Sequence, residues 1–236
     1  MSASLLVFDA PEPVCVPVST GGAFPVRRIY CVGRNYAEHA IEMGHSGREP
    51  PFFFMKPADA LLVVPEGQTG EMHYPGLTAD LHHEVELVVA IGRGGRQIAA
   101  ADALDHVWGY AVGLDMTRRD LQAGMKKSGR PWEIAKSFDE SAPIGPITPV
   151  SVCGELLKGA ITLAVDGELR QRGDLSDLIW NVRETIAAIS QAWALQAGDL
   201  IFSGTPAGVG AVLAGQHMHA EIAGLPALDV RVLAAE

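Results

Sequence analysis

Leu81-His82-His83-Glu84-Val85-Glu86 runs directly into Leu87-Val88-Val89-Ala90-Ile91-Gly92. The apolar, β-branched half reads as a buried strand. Side chains two apart on a strand share a face, so Glu84 and Glu86 point the same way. Two carboxylates on a core strand repel each other and lose hydration. Folding tolerates them when something positive lies between them. A divalent cation is the simplest candidate, and oxygen-only ligands favour magnesium, manganese or calcium over zinc. The alternative is a strand end at which both carboxylates reach water.

Three further groups of residues bear on that pair. Asp115 closes the strand-like run 107–115, where it is placed to make a third carboxylate ligand and leave positions open for water and substrate oxygens. His82 shares the face of Glu84 and Glu86 and is a further candidate ligand. His39 and Glu42, three apart on a short helix expected over 35–43 with Asn35 as its cap, are neighbours on one helix face. A carboxylate beside an imidazole fixes its tautomer and raises its basicity, which is the minimal equipment for activating a water.

Ser203-Gly-Thr-Pro-Ala-Gly-Val-Gly follows a strand at 199–203. Such a turn exposes backbone N–H groups to an anion, and Thr205 adds a hydroxyl. It is neither a P-loop nor a dinucleotide fingerprint, because no Gly-Lys-Ser/Thr follows and Leu213 stands where the third glycine would be. No Gly-x-Ser-x-Gly elbow is present, which argues against a serine hydrolase.

The chain of 236 residues is 48% hydrophobic and 19% charged, with a net charge of −10. That balance speaks against general nucleic-acid binding. It conceals a local reversal: Arg118, Arg119, Lys126, Lys127, Arg130 and Lys136 are a third of the 18 basic residues, opposed locally only by Asp120 and Glu133. A small anionic substrate explains this better than a polymer, the alternative being a solvated basic helix face. Cys15, Cys31 and Cys153 are odd in number and widely spaced, as in a reducing cytoplasm. The N-terminus lacks the pattern of a signal peptide, and no apolar run approaches the length of a membrane span.

Strands are expected at 29–34, 52–57, 61–64, 84–92, 107–114, 161–165, 199–203 and 228–233, and helices at 99–105, 117–127 and 176–194. The last places Leu178, Ile179, Val182, Ile186, Ile189 and Trp193 on one face as core packing. Residues 1–27 read as a short β arm ahead of one catalytic domain over 28–236. Strands dominate without regular βαβ alternation, so the expected fold is a β-rich α+β domain whose sheets roll around a central site.

Taken in order, the motifs Gly33-Arg-Asn-Tyr-Ala-Glu-His-x-x-Glu, Lys56-Pro, His83-Glu-Val-Glu-Leu, Gly113-Leu-Asp-Met-Thr-Arg-Arg-Asp-Leu-Gln, Arg130-Pro-Trp-Glu-x-x-Lys-Ser-Phe-Asp and Ser203-Gly-Thr-Pro-x-Gly-Val-Gly resemble the fumarylacetoacetate hydrolase family. The likeness runs from about residue 28 to the C-terminus and is nearest to the short acylpyruvate hydrolases of that family. It implies the family's mixed β-sandwich roll with short helices, normally as a homodimer. It implies that Glu84, Glu86 and Asp115 hold magnesium or manganese. It implies that His39 and Glu42 activate water on a lid over 37–49, and that Arg119, Gln122, Lys136 and Thr205 grip a keto acid, Lys136 also taking part in catalysis. The expected reaction is hydrolytic carbon–carbon cleavage of a β-diketo acid, with fumarylpyruvate the best-matching acylpyruvate. Oxaloacetate decarboxylation and keto–enol tautomerisation are the alternatives within the family, and carboxylate or metal binding without catalysis is the alternative outside it.

Overall fold

The computed structural model describes residues 7–36 and 49–235. The strand-rich α+β roll expected from the sequence is what it shows. A large mixed sheet runs in the order Phe52–Lys56, Ile29–Gly33, Leu200–Phe202, Val85–Ile91, Val107–Leu114, Ala142–Ile144, Leu61–Val63, and a two-residue strand, Thr148–Pro149, also pairs with Val107–Leu114. Leu200–Phe202 lies parallel to Ile29–Gly33 and antiparallel to Val85–Ile91. A five-stranded sheet, Glu168–Asp174, Ala160–Val165, His217–Ile222, Leu228–Leu233, Thr69–His73, covers one side.

Val85–Ile91 is buried along its whole length, which is why it reads as a continuous apolar run. Its side chains still alternate. Val85, Leu87, Val89 and Ile91 enter the larger core, whereas Val88 and Ala90 enter a second core with Ile29, Cys31, Ala111 and Phe202. Glu86 belongs to the second face by the two-residue period and stands opposite Gly113, which has no side chain to crowd it.

The strand expected over 84–92 forms as Val85–Ile91, and the run Leu81–Gly92 divides at Glu84, just ahead of it. Leu81–His83 pairs instead with Thr117–Arg118 and Gly210–Ala211 in a separate three-stranded sheet. The chain thus passes between sheets at Glu84, while Asp115 N–H still donates to Glu84 O at 2.9 Å and continues the register. The helix expected over 176–194 also divides. A 3₁₀ turn at Leu175–Asp177 precedes a helix at Val182–Ala192, which begins at a capping box formed by Asn181 and Glu184. The helix expected over 117–127 starts two residues later, at Arg119–Ser128, because Thr117 and Arg118 are taken up by the small sheet. The segment 99–105 yields only a 3₁₀ turn at Ala103–His106. Among the described residues, no helix is long and apolar enough to cross a membrane.

Candidate active site

The junction of these sheets gathers Glu84, Glu86 and Asp115, exposed by only 6%, 2% and 1%, with ligand oxygens all within 4.8 Å of one another. Three carboxylates at that spacing need cations. Lys136 Nζ donates to Glu84 Oε2 at 2.8 Å, to Asp115 Oδ2 at 2.7 Å and to Thr117 Oγ1 at 2.6 Å. Burial works against its charge, but Asp115 and Glu84 outweigh it and hold the ammonium above its ordinary pKa. Arg119 Nη2 donates to Glu84 Oε1. Lys56 Nζ lies 2.9 Å from Asp115 Oδ1 and donates to Ser141 O at 3.0 Å and to Lys136 O.

Glu86 stands apart. Its Oε2 accepts the Gly204 N–H at 2.8 Å, and among the described residues no cationic side chain pairs with it. Burial, then Asp115 and Glu84, push its carboxyl well above the usual range. A buried carboxylate with two like neighbours and no counter-ion is the condition that a bound cation relieves. The three oxygen donors fit a hard divalent ion.

His82 does not join this group. Its Nε2 lies 2.9 Å from Asp80 Oδ1, and its Nδ1 accepts from Arg119 Nε at 3.3 Å. Arg119 also donates from Nη1 to the buried Gln122 at 2.7 Å. Three of the five guanidinium N–H groups are engaged among the described residues, which leaves two for a ligand.

Thr205 lines the cleft and is oriented from behind. Gln171, fully buried on Glu168–Asp174, accepts from Val85 N–H at 3.1 Å and donates to Pro206 O at 3.0 Å, so its amide can face only one way. Its second N–H then goes to Thr205 Oγ1 at 2.8 Å, and the threonine hydroxyl is left to donate elsewhere. His83 Nδ1, 2.9 Å from Gln171 Oε1, is by the same logic the protonated nitrogen of its ring. The Gly-rich turn is clamped on its other side by Asn35, whose Nδ2 donates to Ser203 O at 2.7 Å and to Trp180 O at 2.8 Å. Gly204 has φ of +99°, and a Cβ there would lie 2.6 Å from Asn35 Cβ, so the turn requires glycine. Its N–H serves Glu86 rather than a free anion.

The cleft spans about 380 Å³ of space free of protein atoms, open solvent included. Glu84, Glu86, Asp115, Arg119, Gln122, Lys136 and Thr205 line it, together with Arg34, Lys126 and three aromatic rings, Phe52, Phe54 and Trp132. The structure thus brings seven of the nine expected site residues to one place. The other two, His39 and Glu42, lie outside the described residues, as does nearly all of the expected lid. The structure adds Lys56, Gln171 and Asn35. Lys56 had a signal, since a lysine ending the apolar run Phe52-Phe-Phe-Met must meet anions when buried. Gln171 had none, because Glu-Leu-Arg-Gln-Arg-Gly-Asp reads as a solvated edge.

Residues 28–233 match the family model described as fumarylacetoacetate hydrolase C-terminal. The crystal structure of a fumarylpyruvate hydrolase from Pseudomonas aeruginosa, in complex with Mn2+ and pyruvate, is 55% identical, with a TM-score of 0.96 over 98% of this chain and all of that one. The human mitochondrial oxaloacetate tautomerase FAHD1 is 42% identical over 206 residues, 87% of this chain and 91% of its own length. The mitochondrial oxaloacetate decarboxylase of Dictyostelium discoideum is 42% identical over 199 residues, covering 84% and 90%.

Proposed function

The chain belongs to the fumarylacetoacetate hydrolase family, and from that premise we propose that it hydrolyses the carbon–carbon bond of an acylpyruvate, with fumarylpyruvate as the substrate and fumarate and pyruvate as the products. One observation carries the reading: the buried triad Glu84, Glu86 and Asp115 opens on a cleft that also holds Arg119, Gln122, Lys136 and Thr205. The likeness to a fumarylpyruvate hydrolase over nearly the whole chain supports the choice of substrate.

The triad would hold magnesium or manganese, which supplies Lewis acidity toward the carboxylate and 2-oxo oxygens of a keto acid. Arg119, through its two remaining N–H groups, and the Thr205 hydroxyl bind the substrate carboxylate. Gln122 holds Arg119 in the plane that this requires. His39, oriented by Glu42, takes a proton from the water that attacks the distal carbonyl carbon. The bond between that carbon and the methylene then breaks, the acyl group leaves as a carboxylic acid, and the electron pair stays on the pyruvate enolate. The three ammonium hydrogens of Lys136 are engaged, so it acts on that enolate as a fixed charge in a site of low dielectric. Protonation of the methylene carbon releases pyruvate.

The direct test follows the ultraviolet absorbance of fumarylpyruvate with magnesium, then with EDTA, and identifies products by NMR. Equimolar fumarate and pyruvate, abolished by EDTA and restored by metal, is the expected result. The second reading, tautomerisation or decarboxylation of oxaloacetate, is favoured by the two curated relatives. It uses the same enolate without an attacking water. Enolisation or carbon dioxide release from oxaloacetate, with fumarylpyruvate untouched, would replace the first reading by the second.

A further inference from the structure

Two of the four cations that line the cleft, and Lys56 behind them, are accounted for by its carboxylates. Arg119, Lys136 and Lys56 each meet Glu84 or Asp115. Arg34 and Lys126 do not. Among the described residues neither makes an ion pair, and both lie against aromatic faces: Arg34 Cζ lies 5.4 Å from the Phe52 ring centre, and Lys126 Nζ lies 5.1 Å from that of Trp132. Arg34 Nε is buried without a hydrogen-bond partner. Arg34 is also held at φ of +56°, a left-handed conformation that is costly away from glycine.

The strand Phe52–Lys56 orders these groups along the cleft. Phe52, Phe54 and Lys56 share one face, two residues apart, about 6.6–6.8 Å per step. Lys56 is beside Asp115, Phe54 lies under Lys136 with 5.1 Å from Nζ to ring centre, and Phe52 lies under Arg34. One step therefore leads outward from the carboxylate triad to Arg34 and Lys126. Trp132 flanks that step, 5.4 Å from Phe52 and 6.0 Å from Phe54 between ring centres. Gly33 makes the wall possible, because a Cβ there would fall 2.0 Å from Phe52 Cζ.

We propose that Arg34 and Lys126 form a second carboxylate site at the outer end of the cleft, which selects 2-oxo acids carrying a distal carboxylate on a flat, conjugated chain. The aromatic walls receive the chain, and the two cations receive the far anion. This rests on the acylpyruvate reading above and deepens it. A short keto acid would leave both cations unmet. The same unbalanced charge shows in Lys126 itself, which burial and the neighbouring Arg119, Arg34 and Lys136 push down to about 8.

Calorimetric binding with magnesium present tests the site without turnover. The probes are 2-oxoadipate, which has the distal carboxylate, and 2-oxohexanoate, which has a methyl group in its place. The full chain is expected to prefer 2-oxoadipate by about tenfold or more, the scale of one charge-assisted hydrogen bond. Lys126→Gln and Arg34→Gln should each reduce that preference, and the double variant should bring it near unity. Lys127→Gln, an exposed neighbour, should keep it. Equal affinity for the two probes, or a preference that survives in the double variant, overturns the proposal. Failure of the chain to cleave fumarylpyruvate would instead overturn the hydrolase reading, because the binding preference is measured without cleavage.

Discussion

The Lys56 ammonium, fully enclosed, lies 2.9 Å from Asp115 Oδ1 and also donates to Ser141 O and Lys136 O. One cation thus neutralises a carboxylate of the triad and ties the loop after the short helix Glu133–Lys136 to the end of the Phe52–Lys56 strand. Replacing it with Met removes one partner of a buried ion pair, which typically costs about 3–5 kcal/mol. Lys56→Met should lower the unfolding free energy by that much, read as a lower urea midpoint at unchanged slope. Saturating magnesium should recover part of the loss, since a second cation then faces Asp115. An unchanged midpoint would mean that Asp115 is stabilised otherwise.

Glu86 predicts the opposite sign. It is buried and held well above the usual carboxyl range by burial, Asp115 and Glu84. Glu86→Gln removes an unmatched charge, so the metal-free variant should melt at or above the wild-type temperature. With saturating manganese only the wild type should rise, by the mass-action stabilisation that a ligand gives to the state it binds. Hydrolysis should fall to the metal-free level in the variant. A variant that melts lower and still gains from manganese would remove Glu86 from the ligand set.

His39→Ala and Glu42→Gln separate water activation from the rest of the site. Each should retain manganese affinity, read by calorimetry, while the rate of fumarylpyruvate hydrolysis drops by about 10²–10⁴, the usual contribution of a positioned base. Any oxaloacetate enolisation or decarboxylation should fall far less, because neither needs an attacking water. Equal losses on both substrates would assign the pair to binding instead.

Lys126 makes affinity depend on pH in a defined direction. Its neighbours are Arg119, Arg34 and Lys136, opposed by Glu84, and its pKa lies at about 8. Above that pH the outer cleft loses one positive charge. The dissociation constant for 2-oxoadipate should therefore rise between pH 7 and 9, with that for 2-oxohexanoate nearly flat. The folded pKa lies below the unfolded value near 10.5, so the unfolded chain binds more protons between the two. Stability from this group accordingly increases as pH rises through that window. Lys126→Gln should flatten both profiles.

The sequence carried the inner part of the site and little of its support. Glu84 and Glu86 were legible because like charges inside an apolar run are rare enough to demand a cause, and Asp115 because it ended the next such run. Where pattern failed, backbone chemistry had decided. Asn181 and Glu184 broke a continuous apolar helical stripe at 178–182 with a capping box. His217–Ile222 alternates cleanly, with Met218, Ala220 and Ile222 buried, so its strand is readable from the two-residue period. Glu168–Asp174 was not readable, because it buries a single residue, Gln171, whose value lies in four hydrogen bonds to segments far away in the chain.

The parallel pairing of Ile29–Gly33 with Leu200–Phe202 has a kinetic consequence. These strands meet across most of the chain, and the cleft hangs from both: Gly33 and Arg34 continue one, Gly204 and Thr205 the other. Closing so long a loop comes late in folding, since its entropy must be lost before the contacts repay it. Glu84, Glu86 and Asp115 come from the adjoining strands Val85–Ile91 and Val107–Leu114, but the Gly204 N–H that holds Glu86 arrives only with that closure. A bound ion stabilises contacts that form only afterwards, so it slows the escape from the native state and leaves the rate of reaching it nearly unchanged.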